Sequence, residues 1–345
     1  MRLQKTFTAL LAAAALALTA CGGGSAAPSA GGTSAPGASE TATPTQGGDT
    51  GKTLEIGVLQ YVTHTALDAV TKGFTDELAA RGYKDGEKIK LDVQNPQADQ
   101  ATLTAIANKF AQDKKDLVLG IATPAAQGLA QAIADAPVLF GAVTDPVVAG
   151  LVKSWDAPGG NVTGVSDMNP VEDQLKLLLE IAPNVKTVGI VYSSGEVNAE
   201  VQVAAAEKAA TELGLTIAKA AVSNSSEVQQ AAESLKVDAF YVPTDNNVVA
   251  GLEGLIQVAE KNKVPVVASD EGSVERGAIA ANTVNYEQQG KDVADMAFKI
   301  IEGAKPADLP VQVQKNFDLN VNEAAAQRMG VTIPAAVLDR AAKKF

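Results

Sequence analysis

Hydroxyl and carboxylate side chains recur directly after apolar runs in this sequence, where they could bind a ligand. The stretch 116–146 shows the pattern twice: Leu117–Ile121 leads to Thr123-Pro124, and Val138–Val143 leads to Thr144-Asp145-Pro146. Each run is apolar on both faces, as a parallel strand covered by helices must be. A threonine followed by a proline is typical of a helix start, with the hydroxyl as N-cap and the proline at the first helical position.

The same arrangement recurs in the second half of the chain. Asp238–Val242 leads to Thr244-Asp245, and Val264–Ala268 leads to Ser269-Asp270. Open α/β sheets bind ligands at the carboxyl ends of their parallel strands. We therefore expect two similar halves that face each other across a cleft.

The candidate binding residues suit a ligand that carries both charges of an amino acid. A helix N-terminus with free N–H groups and a threonine hydroxyl suits a carboxylate, and a cluster of aspartates suits an ammonium. Taken singly, each threonine or aspartate could be a simple helix cap, so the binding interpretation depends on their recurrence in both halves. The candidates are Gln60, His64, Thr123, Pro124, Ala125, Thr144, Asp145, Ser166, Asp167, Thr244, Asp245, Asn246, Ser269 and Asp270.

The sequence offers little for catalysis or for metal binding. It contains one histidine, His64, and one cysteine, Cys21. A Ser-His-Asp triad or a histidine-based metal site would therefore have to be built around His64 alone. Nucleophile-elbow, Walker and dinucleotide-binding motifs are missing, as is any Cys/His metal spacing. We expect no enzyme activity, no cofactor and no metal, and the alternative is an α/β enzyme in which His64 serves as the base.

Composition and charge narrow the class of protein further. The chain has 345 residues, 46% hydrophobic and 20% charged, with a net charge of −12. This length is enough for two globular domains of ordinary size. The negative charge and the lack of a Lys/Arg cluster argue against nucleic acid as a partner.

The N-terminal region reads as a targeting segment followed by a tether. Residues 1–20 combine Arg2 and Lys5 with a short apolar run, which predicts a signal peptide. Leu-Thr-Ala-Cys at its end resembles the lipobox of bacterial lipoproteins, so we expect Cys21 to carry the lipid. Residues 21–52 are rich in Gly, Ser, Ala, Thr and Pro, which predicts a disordered tether.

Strand and helix signals alternate over the rest of the chain, which predicts an α/β fold of two doubly wound lobes with a parallel sheet in each. We assign 53–165 and about 283–316 to lobe 1, and 166–282 and about 317–345 to lobe 2. The run Val311–Phe317 is predicted to be a strand that crosses between the lobes. A single helix is predicted over Val248–Asn262.

The chain from about Leu54 to its end resembles the substrate-binding lipoproteins of ABC transporters with the type I periplasmic-binding fold. The similarity extends to the branch that includes tryptophan- and phenylalanine-binding members. It departs at Thr65, where this branch usually has proline after the histidine. The matching segments are His64–Asp68, Ala122–Gln127, Ala142–Pro146, Gly159–Asp167, Val242–Asn246, Ala268–Asp270 and Ser273–Ala278.

The resemblance implies two lobes that are joined by three crossing strands and close on a ligand, without catalysis. It implies an ABC permease and ATPase as partners, attachment to the extracytoplasmic face of the membrane through the lipid alone, and a monomer. The ligand it implies is an amino acid, with an aromatic side chain favoured. The Thr123 turn and Thr144 would hold the carboxylate. Asp145, Asp167, Asp245 and Asp270 remain alternatives for the ammonium. A sensory lipoprotein that presents its ligand to a receptor is a further alternative.

Overall fold

The computed structural model describes residues 52–345. The predicted signal peptide, the predicted lipidation at Cys21 and the tether as far as residue 51 lie outside the described residues. None of the helices in the described part of the chain combines the length and the apolar character needed to cross a membrane.

The described residues alternate between strands and helices along the chain. The strands are β1 (Leu54–Gln60), β2 (Ile89–Gln94), β3 (Leu117–Ile121), β4 (Val138–Gly141), β5 (Val162–Ser166), β6 (Thr187–Ser193), β7 (Thr216–Val222), β8 (Ala239–Tyr241), β9 (Val266–Val267), β10 (Ala280–Thr283), β11 (Gln312–Val313), β12 (Asp318–Val321) and β13 (Lys343–Lys344). The α-helices are α1 (Thr65–Ala80), α2 (Gln100–Gln112), α3 (Thr123–Ala132), α4 (Val171–Ile181), α5 (Val197–Leu213), α6 (Val228–Ser234), α7 (Asn246–Ala250), α8 (Leu252–Asn262), α9 (Glu271–Glu275), α10 (Tyr286–Ile301), α11 (Glu323–Arg328) and α12 (Ala335–Asp339).

Lobe 1 is built on a six-stranded sheet in the order β11-β5-β4-β3-β1-β2. All of its neighbouring strands run parallel. Strands β3 and β4 are buried along their whole length, because helices cover both faces of the sheet. Helices α1, α2, α3 and α10 contribute to its hydrophobic core. The turns that follow β1, β3, β4 and β5 therefore lie along one edge of this sheet.

Lobe 2 is built on a seven-stranded sheet in the order β13-β12-β10-β9-β8-β6-β7. Its own hydrophobic core includes residues of α4 to α9, α11 and α12. The predicted α/β architecture with two lobes is confirmed, and the chain passes between the lobes after β5, after β10 and after β11.

One strand pair departs from the predicted parallel arrangement. Strand β12 runs antiparallel to β10. The reason lies in the crossings: β10 ends where the chain leaves lobe 2, and β12 begins where the chain returns to it, so the two neighbours point in opposite directions. An antiparallel neighbour of this kind needs no covering crossover helix.

Two predicted elements are interrupted in the structure. The single helix predicted over Val248–Asn262 is divided at Gly251 into α7 and α8. A Cβ atom at Gly251 would lie 2.4 Å from the carbonyl oxygen of Ser225, so the break allows a close backbone approach. The crossing strand predicted over Val311–Phe317 consists of β11 in lobe 1 and β12 in lobe 2, and the residues between them form the crossing.

Candidate ligand-binding site

A small cavity lies between the two lobes, at the carboxyl ends of the strands of both sheets. About 310 Å³ of space free of protein atoms lies there, including the part that is open to solvent. The cavity is lined by both polar and apolar side chains, contributed by both lobes. The lining residues are His64, Ala66, Leu67, Ala142, Asp167, Asn198, Thr244, Asn246, Val249, Asp270 and Tyr286.

Asp167 follows β5 and carries one of the two carboxylates that line the cavity. Its Oδ1 accepts a hydrogen bond from the Thr144 hydroxyl at 3.2 Å, and its Oδ2 accepts one from the Tyr286 hydroxyl at 3.0 Å. Burial, with a smaller contribution from the charge of Asp270, raises the pKa of Asp167 to about 6 against the opposing effect of these hydrogen bonds. Two buried carboxyl groups thus line one small site, which suits a bound cation.

Asp270 carries the other carboxylate that lines the cavity, and it also caps α9. Its Oδ1 accepts a hydrogen bond from the Ser273 backbone N–H at 2.8 Å, and its Oδ2 accepts one from the Ser273 hydroxyl. The residue is 2% exposed. Capping and cavity lining are therefore compatible here, because each carboxylate oxygen has a further lone pair.

His64 links the two lobes. It precedes α1 in lobe 1, and its Nε2 lies 3.4 Å from the Oδ1 of Asn246 in lobe 2. Its Nδ1 is buried without a hydrogen-bond partner among the described residues. Burial lowers the pKa of His64, although Asp270 opposes that effect. The neutral ring that results has one nitrogen available to accept a hydrogen bond.

Glu196 lies behind the cavity and was missed by the sequence analysis. It is 3% exposed. Its Oε1 accepts from Asn247 Nδ2 at 2.9 Å, and its Oε2 accepts from Asn198 Nδ2 at 3.1 Å and from Asn246 Nδ2. Burial and the nearby charge of Asp245 raise the pKa of Glu196 to about 8, against the effect of the amide donors.

Thr123 is buried at the end of β3 with its hydroxyl oxygen unpaired among residues 52–345. The prediction that Thr123 is the N-cap is wrong: Ala122 occupies that position and Thr123 is the first residue of α3. Ala122 has φ of 81° and Ala142, after β4, has φ of 53°. Such left-handed conformations are costly for alanine and cluster at functional sites.

Gln289 supports the strained backbone after β4. Its Oε1 accepts a hydrogen bond from the Ala142 N–H at 2.8 Å, and its Nε2 is buried and unpaired within the described part of the chain. Thr123 and Gln289 thus leave a hydroxyl and an amide without partners in lobe 1. An unpaired buried polar group costs about 1–3 kcal/mol, so such groups commonly await a ligand or water.

Asp145 and Asp245 lie outside the cavity lining and bond with their own lobe. The Oδ1 of Asp145 accepts from the N–H groups of Val147 and Val148 at 3.0 Å each; turns rather than the predicted capped helix follow here. The Oδ1 of Asp245 caps α7 through Val248 N–H at 3.0 Å and also accepts from the Ser193 hydroxyl at 2.8 Å. Capping of the following turn or helix accounts for the position of both carboxylates.

The other predicted residues also have partners within the protein or lie away from the cavity lining. Gln60 donates to the Val62 carbonyl at 2.9 Å and to Asp68 at 2.6 Å. The hydroxyl of Ser166 donates to the Thr144 carbonyl at 2.8 Å. That of Ser269 donates to the Val242 carbonyl at 3.0 Å. Pro124 and Ala125 form the first turn of α3.

The sequence contained a signal for some of the missed residues. Glu196 and Asn198 follow β6 in the same way that Asp167 follows β5, and Tyr286 follows β10. Gln289 lies inside α10, where local sequence carries no such signal. In residues 52–345 no group of three His, Cys, Asp or Glu side chains is arranged to hold a metal ion.

The lobes also contact each other beside the cavity. Val197 of α5 and Ala250 of α7 belong to lobe 2 but pack against the hydrophobic core of lobe 1. A Cβ atom at Gly272 of α9 would lie 2.6 Å from the Cβ of Thr65, the first residue of α1. The cleft is therefore closed in this structure.

Known proteins resemble this chain in sequence and in fold. Residues 55–345 match the family described as ABC transporter substrate binding protein. A tyrosine-binding protein from Clostridioides difficile is 43% identical over 277 residues, which cover 80% of each chain. The structure resembles an ABC domain from Streptococcus pneumoniae in complex with L-Trp, with a TM-score of 0.83, 40% identity, and coverage of 85% of this chain and 100% of that one.

A ligand-free, open structure of a Clostridium difficile substrate-binding protein with adhesive properties gives a lower TM-score of 0.65. Its identity is 42%, and the match covers 84% of this chain and 98% of that one. Because identity and coverage are nearly the same as for the L-Trp complex, the lower score indicates a different arrangement of the lobes. The lobe arrangement described above is thus closer to that of the liganded relative.

The match over residues 55–345 extends across both lobes and all three crossings between them. The chain belongs to the family of ABC transporter substrate-binding proteins.

Proposed function

We propose that this protein captures an aromatic amino acid outside the cytoplasm and delivers it to an ABC importer. The observation that carries the proposal is the composition of the closed cavity. Two carboxylates, Asp167 and Asp270, line it together with the apolar side chains of Leu67 and Val249. A zwitterion with a flat apolar side chain matches this combination, as do the ligands in the names of the tyrosine-binding and L-Trp-bound relatives.

In this proposal the ligand ammonium lies between Asp167 and Asp270. Both carboxylates are buried and each raises the free energy of the other, so a cation between them relieves the repulsion. For the ligand carboxylate we propose the Thr123 hydroxyl and N–H groups at the start of α3. Thr123 lies outside the lining of the closed cavity, but its buried hydroxyl has no partner within the described residues. Thr144, which donates to Asp167, orients that aspartate.

Closure of the lobes is the binding step. Lobe 1 comprises 53–165 and about 283–316, and lobe 2 comprises 166–282 and about 317–345. A ligand that bridges the two lobes stabilises the closed state and shifts the population toward it. Substrate-binding proteins of ABC importers are extracytoplasmic. We propose a monomer anchored to the membrane through lipid on Cys21, whose partners are a permease and an ATPase.

The proposal includes no catalysis. A base at His64 would need an adjacent nucleophile. The His64 ring instead contacts the amide oxygen of Asn246, at 3.4 Å.

Titration calorimetry against the twenty common amino acids tests the proposal. We expect one or more aromatic amino acids to bind with micromolar or tighter affinity. Asp167→Asn should weaken binding by about 2 kcal/mol or more, because it removes a buried charge that pairs with the ammonium. Asp145→Asn is the matched control, since Asp145 caps a turn away from the cavity. A folded protein that binds none of the twenty would contradict the proposed ligand class.

A further inference from the structure

One cavity residue, Asn198, has a buried acceptor for which the described part of the chain supplies no donor. Asn198 follows β6, lies in the first turn of α5 and is 3% exposed. Its Nδ2 donates to the Thr244 carbonyl at 2.9 Å and to Glu196 Oε2 at 3.1 Å. These bonds fix the amide orientation, so the Oδ1 must be the free atom, and it has no partner among residues 52–345.

A second unpaired acceptor lines the same cavity from the other lobe. The Nε2 of His64 points to Asn246 Oδ1, and the amide of Asn246 is itself oriented by its Nδ2 bond to Glu196. The proton of a neutral imidazole therefore lies on Nε2, which leaves the buried Nδ1 as an acceptor without a partner in the described chain. The cavity thus carries two neutral acceptors, one on each lobe.

Neutral acceptors match a neutral donor on the ligand. The two carboxylates, Asp167 and Asp270, are the stronger partners for an ammonium because the bond between opposite charges is charge-assisted. An amide oxygen instead satisfies an O–H or N–H group that carries no charge. Ala66, Leu67, Ala142 and Val249 add apolar surface to the lining. The other polar lining residues, Thr244, Asn246 and Tyr286, already have hydrogen-bond partners within the protein. A ligand side chain that is apolar apart from one uncharged donor therefore matches this lining.

We infer that Asn198 is a specificity-determining residue whose Oδ1 accepts a hydrogen bond from a ring O–H or N–H of the ligand. The inference rests on the proposed function and deepens it: the favoured ligands are aromatic amino acids with a phenol or an indole, and phenylalanine is disfavoured. A site built to bond a donor rejects an analogue without it, because the buried acceptor then stays unpaired.

Calorimetry with isosteric ligands tests this on the unmodified protein. The ligand series is L-tyrosine, L-phenylalanine and 4-fluoro-L-phenylalanine, with L-tryptophan and its benzothienyl analogue as a second pair. Each analogue keeps the ring but cannot donate. L-tyrosine or L-tryptophan, whichever binds more tightly, should have an affinity roughly tenfold or more above that of its own non-donating analogue. Affinities of phenylalanine and both isosteres within about twofold of the donor ligands would overturn the inference.

Asn198→Ala then assigns the effect to the residue. We expect the substitution to lower the affinity for the donor ligand by roughly tenfold and the affinity for phenylalanine by less than about threefold. The ratio of the two affinities should therefore fall. A merely structural role would weaken all ligands equally and leave the ratio intact, which would overturn the assignment. Asn169→Ala is the matched control. Asn169 is also buried, its Oδ1 has no partner in residues 52–345, and it does not line the cavity. Failure of every aromatic amino acid to bind would overturn the proposed function, and this inference with it.

Discussion

Glu196 is a carboxylic acid held among three asparagine amides at the inner end of lobe 2, and its burial makes it costly as an anion. Its amide partners, on Asn198, Asn246 and Asn247, also help to shape the cavity. The acid therefore orients the cavity lining from behind. Because Asn246 in turn faces His64, the network extends from the interior of lobe 2 to lobe 1.

The raised pKa of Glu196 should make stability depend on pH. Its pKa rises from an ordinary 4.5 to about 8 in the folded protein, so between these values the folded state keeps a proton that the unfolded chain loses. The contribution to stability is present below about pH 4.5 and is lost as the pH rises toward about 8. We expect Glu196→Gln to remove this slope, up to about 1.4 kcal/mol per pH unit.

Thermal unfolding from pH 5.5 to 8 measures the effect of Glu196→Gln. The melting temperature of the variant should fall less than that of the wild type as the pH rises. Glu200→Gln, at an exposed position in the first turn of α5, the helix that Glu196 precedes, should retain the wild-type slope. If the melting temperatures of Glu196→Gln and the wild type changed with pH in parallel, the pKa of Glu196 would not be raised in the folded protein.

At the residue scale, the sequence rule that polar groups follow strands was informative but incomplete. It pointed to Asp167, Asp270 and Asn246, which line the cavity, and equally to Asp145, which caps a turn. The rule cannot separate these cases because capping and binding use the same side chains at the same turns. Only the tertiary direction of each turn decides whether a carboxylate faces the cleft.

At the element scale, the strongest local patterns gave the most accurate bounds. Strand β3 begins and ends with the predicted apolar run, Leu117–Ile121, since the Thr-Pro pair at the start of the next helix follows its end closely. The break at Gly251 was not predictable, because its cause is the carbonyl of Ser225 on a neighbouring segment.

The contact between α1 and α10 depends on two glycines that let the helix backbones touch. A Cβ atom at Gly290 would lie 2.2 Å from the Val70 carbonyl oxygen, and one at Gly73 would lie 2.0 Å from the Glu287 carbonyl oxygen. Since α10 enters lobe 1 directly after a crossing and carries Tyr286 and Gln289, this contact also sets the position of one wall of the cavity.

We expect Gly290→Ala to destabilise the protein by about 1–3 kcal/mol, because the helices must move apart and the gain in helix propensity offsets only part of that cost. Denaturant unfolding measures the change in the free energy of unfolding. Gly195→Ala is the control, as nothing lies within 4 Å of a Cβ atom there. Equal unfolding midpoints for Gly290→Ala and the wild type would mean that the helices adapt without cost.

At the scale of the whole molecule, the closed arrangement depends on a contact between helix starts on opposite lobes. Gly272 lies in the first turn of α9, and Thr65 begins α1. A Cβ atom at Gly272 would lie 2.6 Å from Thr65 Cβ and 2.8 Å from its Oγ1. Real Cβ atoms do not approach so closely, so a methyl group at position 272 keeps the lobes from reaching this arrangement, although neither lobe need change internally.

Gly272→Ala should therefore weaken ligand binding, roughly tenfold or more, while leaving the unfolding midpoint of the ligand-free protein close to that of the wild type. The apparent affinity falls with the population of the binding-competent state, and the substitution makes that state rarer. Calorimetry gives the affinity, and small-angle scattering with and without ligand should show less compaction in the variant. Gly160→Ala, where a Cβ atom has open space, should bind as the wild type does.

Adding Thr65→Gly to Gly272→Ala should restore affinity to that of Thr65→Gly alone, because it removes the atoms that the methyl group meets. Wild-type affinity in Gly272→Ala, or no recovery in the double variant, would show that this contact does not limit closure.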